Sequence, residues 1–164
     1  GADLHLQMIT KAKRYLYLTT PYLVIDETIT AALCTAARSG VDVRIITPHI
    51  PDKRSVFEVT KAHYPPLLEA GVKIYEYTPG FIHAKNFVVD GRYATVGTVN
   101  LDYRSLFLHF ECGALLLYNS QVIALRDDVL RTLPECREVQ LADCRTSLAG
   151  TLLDSVLRLL SPLM

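Results

Sequence analysis

The sequence predicts an α/β sandwich, a mixed central sheet flanked by helices, on three observations. Apolar runs and amphipathic stretches alternate from residue 2 to residue 77, the pattern of parallel strands joined by helical crossovers. Two β runs then flank Asp90-Gly91-Arg92, which is hairpin chemistry. Two further amphipathic stretches, near Gln121 to Leu133 and Ala142 to Leu160, close the chain and supply helical cover. The 164 residues suit one core, so a single domain over 1–164 is expected.

Taken in order, Ala2 to Lys13 carries Leu4, Met8 and Ile9 at helical spacing, and Arg14 to Thr19 alternates Tyr15 and Tyr17 with Leu16 and Leu18. A helix therefore feeds a strand, and Pro21 ends it. Glu27 to Ser39 places Ile29, Leu33 and Ala37 on one helical face before Gly40, and Val41 to Thr47 is a β-branched run bounded by Pro48. The cycle repeats: polar His49 to Arg54, a helix over Ser55 to Ala70 broken near Pro65-Pro66, then a strand over Val72 to Tyr77. His83 to Val89 and Tyr93 to Val99 read as the two arms of the hairpin, Phe107 to Tyr118 as a further strand, and Arg137 to Leu141 as a short one.

Lys plus Arg equals Asp plus Glu at seventeen each, so no net field attracts a polyanion, and nucleic acid is not an expected partner. Half the residues are hydrophobic, which argues against disorder. The spacing of Cys34, Cys112, Cys136 and Cys144 fits neither a zinc site nor a redox pair, so buried, reduced thiols in a cytosolic compartment are expected. No signal peptide opens the chain and no apolar run approaches the roughly 20 residues that span a bilayer, so membrane contact is expected to be peripheral or supplied by sequence not present here. The abrupt start, without methionine, reads as that of an excised piece, a start that a tag remnant or processing would equally explain.

The chemistry concentrates in His83-x-Lys85-x4-Asp90, followed by Gly97-Thr98-x-Asn100 and by Glu111. If both arms are strands, His83 and Lys85 share a face, as do Thr98 and Asn100. A nucleophilic imidazole, a cation for non-bridging oxygens (Lys85), and neutral donors for equatorial charge (Thr98, Asn100) suit displacement at a phosphodiester without a metal. Glu111 is placed to accept from one imidazole nitrogen and leave the other free to attack.

This signature resembles that of the phospholipase D superfamily. The strings TTPYLVID (19–26), SGVDVRIITP (39–48), LEAGVKIYEYTPGFIHAK (68–85) and GTVNLDYRSLFLHFEC (97–112) resemble bacterial cardiolipin synthases, as does the terminal Leu159-Leu160-Ser161-Pro162-Leu163. The resemblance implies a phospholipase D-like sandwich forming the carboxy-terminal one of two repeats that share an active site. It implies a phosphatidyltransferase without cofactor, in which one histidine takes the phosphatidyl group of phosphatidylglycerol and the other protonates the departing glycerol. A second phosphatidylglycerol then accepts the group. The implied partners are the amino-terminal repeat or, in a symmetric homodimer, a second copy, at the cytoplasmic face of the bacterial membrane. Thr98 stands where many relatives carry Ser, which keeps the hydroxyl.

Plainer readings compete. A single-motif homodimeric phosphodiesterase or nuclease, or a silent half-domain, would use the same signature. Asp90 before Gly91 also satisfies a hairpin turn on conformational grounds alone, and Gly97 serves close backbone approach. Arg104 and Ser105 either contact phosphate or fix the loop after Asn100. Tyr22 either lines the substrate groove or anchors its own loop. His49, His63 and His109 read as surface or packing residues. Lys53 and Arg54 read as a solvated loop or as contacts to anionic headgroups. The stripe Leu148, Leu152, Val156 and Leu159 reads as core.

Overall fold

The structure, a computed structural model, describes residues 1–144. Helix α1 (Ala2–Lys11) leads into β1 (Tyr15–Thr19), and the short β2 (Leu23–Val24) follows Pro21. Helix α2 (Glu27–Arg38) starts where the Asp26 side chain accepts from the Ile29 amide at 2.8 Å, which satisfies one of the unpaired amides of its first turn. Then come β3 (Asp42–Pro48), α3 (Arg54–Ala62), α4 (Tyr64–Glu69) and β4 (Lys73–Tyr77). The second half contains β5 (Asn86–Val89), β6 (Tyr93–Gly97), β7 (Leu101–Asp102), a π-helical turn (Arg104–Leu108), β8 (Gly113–Leu117), α5 (Ser120–Thr132) and β9 (Cys136–Val139).

Seven strands form one mixed sheet in the order β8-β6-β5-β1-β3-β4-β9. The strands joined by helices, β1, β3 and β4, are parallel, and every other pairing in this sheet is antiparallel. The alternation read along β1 sorts its two faces. Leu16 and Leu18 join Ile9, Leu33, Ile45, Ile74 and Phe87 in the main core, whereas Tyr17 packs with Ile46 and Val129 on the other side. Helices α1, α2 and α4 thus cover one face and α5 the other, which is the expected sandwich.

The helix expected over 55–70 is interrupted near Pro65-Pro66 as expected: the break falls at His63, and both prolines lie in the first turn of α4, where a missing amide hydrogen costs nothing. Two other boundaries depart from the sequence reading, each for a local reason. The arm expected over His83 to Val89 starts only at Asn86. Its neighbour β1 stops at Thr19, opposite Asn86, because Pro21 follows, so residues 81–85 run beyond the ladder. The strand expected over Phe107 to Tyr118 shortens to Gly113–Leu117, because the π-helical turn occupies Arg104–Leu108.

Gly97 sits at the closest approach of β6 to β8: a Cβ there would lie 2.4 Å from the Cys112 carbonyl oxygen and 2.5 Å from the Gly113 Cα. Of the four cysteines only Cys34 is buried; Cys112 is exposed and Cys136 and Cys144 are half-buried, so the expected interior position holds for Cys34 alone. No helix among the described residues is long and apolar enough to cross a membrane. The closing helix expected over Ala142 to Leu160 lies outside the described residues from position 145 onward, and its stripe and the terminal string with it.

Candidate active site

The parallel strands β1, β3 and β4 all end at one edge of the sheet, where β5 begins and β6 ends. Loops leaving the carboxyl ends of parallel strands are where open α/β sheets gather their ligands. Here they are Thr20–Tyr22 after β1, His49–Lys53 after β3, and Thr78–Lys85 after β4. The parallel pair β2 and β7 ties the first of these to the segment after β6, helped by the Leu101 amide donating to the Thr20 hydroxyl at 3.1 Å.

His83 and Lys85 meet at this edge. The expected shared strand face is not what joins them, since both precede β5. Instead Lys85 folds back: its Nζ donates to the His83 carbonyl at 2.7 Å and lies 2.9 Å from His83 Nδ1. An ammonium has no acceptor, so Nδ1 is the unprotonated nitrogen in this contact and the neutral ring carries its hydrogen on Nε2. Burial first, and the Lys85 charge second, hold the imidazole below its ordinary pKa, with Asp52 acting in the opposite direction. Burial also lowers the Lys85 ammonium, against the pull of Glu111 and Asp102.

Glu111, expected on His83, is engaged elsewhere. Its carboxylate accepts the Thr98 hydroxyl, while the Thr98 oxygen accepts from the Cys112 amide at 3.0 Å. The hydrogen that Thr98 was expected to offer a phosphate therefore goes to Glu111. Asn100 departs in the same way: Nδ2 donates to Asp102 Oδ2 and to Ser105 Oγ, both at 3.1 Å. Asp102 accepts only, which fixes the amide orientation and leaves Asn100 Oδ1 buried without a hydrogen-bond partner among the described residues. Asn100 thus presents an acceptor rather than donors. Ser105 fixes the loop after Asn100, its amide donating to Asp102 Oδ1 at 2.6 Å.

Asp90 lies furthest from the rest of the motif. It lies past the far end of β5, on the order of 16 Å along the strand from Lys85, and its carboxylate accepts from the backbone amides of Lys13 and Arg14 at 2.8 Å and Tyr15 at 2.9 Å. Of its two readings this geometry favours the structural one, a clamp on the start of β1.

The site also holds residues that the sequence reading undervalued. Tyr22 donates to Asp52 Oδ2 at 2.5 Å, and its ring lies 6.4 Å from that of Phe81, which in turn lies 5.5 Å from the His83 ring. His5, not singled out at all, is buried against Phe87 with ring centroids 4.4 Å apart. It joins Lys85, Glu111, Val96 and Leu115 around a cleft of about 190 Å³. His49 pairs with the buried Glu76 at 2.7 Å, and the buried His63 contacts the Val59 carbonyl at 2.8 Å. Among the described residues no group of three His, Cys, Asp or Glu is arranged to hold a metal ion.

The Lys85 contact has a measurable consequence. Lys85→Met removes a positive charge that disfavours imidazolium, so the His83 titration is expected to move to higher pH. An imidazole proton signal followed by NMR across pH reads this directly, and an unmoved midpoint would refute the contact.

Against this geometry, the family model described as "Cardiolipin synthase, PLD-like domain" matches residues 5–131. The chain belongs to that family. A cardiolipin synthase from Halalkalibacterium halodurans is 44% identical over 162 residues, 98% of this chain and 32% of the relative. The chain thus spans about a third of the length of that family member. Among solved structures, the phospholipase D family member Nuc from Salmonella typhimurium aligns with a TM-score of 0.73 at 19% identity, covering 85% of this chain and 90% of Nuc. The phosphatidylserine synthase of Haemophilus influenzae aligns with a TM-score of 0.76 at 18% identity, over 99% of this chain and 44% of the synthase. These two share the fold with this PLD-like domain.

Proposed function

We propose that residues 1–164 form one domain that is the carboxy-terminal catalytic half of a phosphatidyltransferase of the cardiolipin synthase type. The observation that carries this reading is the His83–Lys85 contact at the carboxyl edge of the sheet, in a chain nearly all of which aligns with a cardiolipin synthase.

A phosphodiester arriving at this edge competes for Lys85. Its anionic oxygens are a better acceptor for the ammonium than a neutral imidazole, so Lys85 moves to phosphate and releases Nδ1. The imidazole then acts on the phosphorus or the departing oxygen, with Asn100 and the Thr98–Glu111 pair shaping the wall around it. Among the described residues Lys85 is the one cation acting on His83, while the carboxylates of Asp52, Asp102 and Glu111 act on His83 or Lys85. Extra negative charge in a pentacoordinate transition state calls for more positive donors than that. This favours a site completed by a second half, whether an amino-terminal repeat or a second copy of the chain, whose histidine shares the nucleophile and acid roles with His83.

Two molecules of phosphatidylglycerol fit as donor and acceptor, and the apolar walls of the cleft beside Lys85 and Glu111 suit a lipid better than a polynucleotide. Exposed Ile50 and Lys53 lie on the loop after β3 and exposed Arg54 opens α3, a combination that favours peripheral contact with anionic headgroups at the cytoplasmic membrane face. The assembled enzyme, given vesicles of labelled phosphatidylglycerol, is expected to release glycerol and form cardiolipin in equal amounts. Glycerol release with only phosphatidic acid would make the protein a hydrolase and sink this reading.

A further inference from the structure

Besides Lys85, one other charged side chain among the described residues acts on the His83 imidazole. Asp52, exposed in the loop after β3, raises the pKa that Lys85 lowers. It does not stand alone, since Tyr22 from the loop after β1 donates to its Oδ2 at 2.5 Å, and Phe81 from the loop after β4 lies between the rings of Tyr22 and His83. Three loops thus each place one residue in a linked group that reaches the His83 imidazole through Phe81. The Tyr22 phenol is pushed up to about 12 by burial and by Asp52, so it keeps its proton and holds the carboxylate in place.

A carboxylate repels a phosphoryl group, so Asp52 is not a phosphate ligand. The other species at such a centre is an alcohol, whose hydroxyls are donors that a carboxylate accepts. Phe81, 36% exposed, offers an apolar wall for the carbons that carry those hydroxyls.

We propose that Asp52, held by Tyr22 and flanked by Phe81, binds the acceptor alcohol, a polyol of the glycerol-headgroup class, and so decides transfer over hydrolysis. The proposal rests on the reading of this edge as a phosphatidyl-transfer site. In the step concerned, the acceptor oxygen forms its bond to phosphorus as the phosphorus–nitrogen bond of the phosphohistidine breaks. The hydroxyl proton passes to the other of the two histidines in the assembled site, which acts as base. Water follows the same course and yields phosphatidic acid, so the two acceptors compete for one intermediate.

The test measures the ratio of alcohol product to phosphatidic acid in the assembled enzyme, with phosphatidylglycerol or glycerol as polyol acceptor and ethanol as an acceptor lacking a second hydroxyl. Asp52→Asn, isosteric and exposed, is expected to lower the polyol ratio by about tenfold or more, as a lost charged hydrogen bond does. The ethanol ratio should change by less than about threefold, and Tyr22→Phe should fall between Asp52→Asn and wild type. An unchanged ratio, a parallel fall of both products, or an equal loss with ethanol overturns the proposal. If the wild type itself makes no alcohol product, the transferase reading fails and the proposal with it.

Discussion

His83→Ala in the assembled enzyme is expected to slow phosphatidyl transfer by about four orders of magnitude, while shifting the unfolding midpoint by no more than about 2 °C. The two halves of this expectation have separate causes. His83 is exposed and lies outside the ladder, with contacts to Lys85 and Phe81, so its removal costs the fold almost nothing. On the proposed reading the same side chain carries the phosphoryl group or protonates the departing oxygen, and four orders of magnitude correspond to about 5.5 kcal/mol of lost transition-state stabilisation. On the same reading Lys85 remains in the variant to bind phosphate, so the loss should fall on kcat more than on KM. Turnover of labelled phosphatidylglycerol beside thermal unfolding measures both. Activity within about tenfold of wild type would remove His83 from the chemistry.

What was legible in the sequence was whatever depends on period and local stereochemistry. The alternation in Tyr15 to Thr19 placed Leu16 and Leu18 on one face and Tyr15 and Tyr17 on the other, and the structure keeps that division. The strand and helix cycle gave the parallel half of the sheet, and Asp90-Gly91 gave the hairpin, with both residues at positive φ of 55° and 69°. What was not legible depends on where neighbours stop. Strand parity brought His83 and Lys85 together for the wrong reason, because nothing near residue 85 says that β1 ends opposite Asn86. Hydrogen-bond partners were the least accessible. Thr98 and Asn100 carry donors in the sequence, but only the fold shows those donors turned toward Glu111, Asp102 and Ser105. Asp52 was hidden because it comes from a loop about thirty residues from the motif, and Tyr22 alone gave no sign of its partner.

Asp90→Ala is expected to destabilise the domain by about 3 kcal/mol, a fall of roughly 10 °C in the unfolding midpoint for a chain of this size, without a matching loss of chemistry. Three backbone amides, those of Lys13, Arg14 and Tyr15, donate to one carboxylate, and they are the amides at the entry to β1, the strand that β3 and β5 both pair with. Each such bond to a charged acceptor is worth about 1.5 to 3 kcal/mol when buried and less where water replaces it; two of these bonds are exposed and the third is part-buried, so they are held to about 1 kcal/mol each. Alanine also tolerates the positive φ less well than aspartate, which adds to the cost. Asp90→Asn retains one acceptor oxygen and the turn preference, so it should lose about half as much. Assayed below its unfolding transition, Asp90→Asn should keep kcat within severalfold of wild type, because the clamp lies beyond the opposite end of β5 from Lys85. A large fall in kcat with an unchanged unfolding midpoint would return Asp90 to the catalytic set. The expected pattern instead makes the aspartate of the motif the residue that anchors β1 at one end of the sheet, so that the loop after β1 is correctly placed at the other.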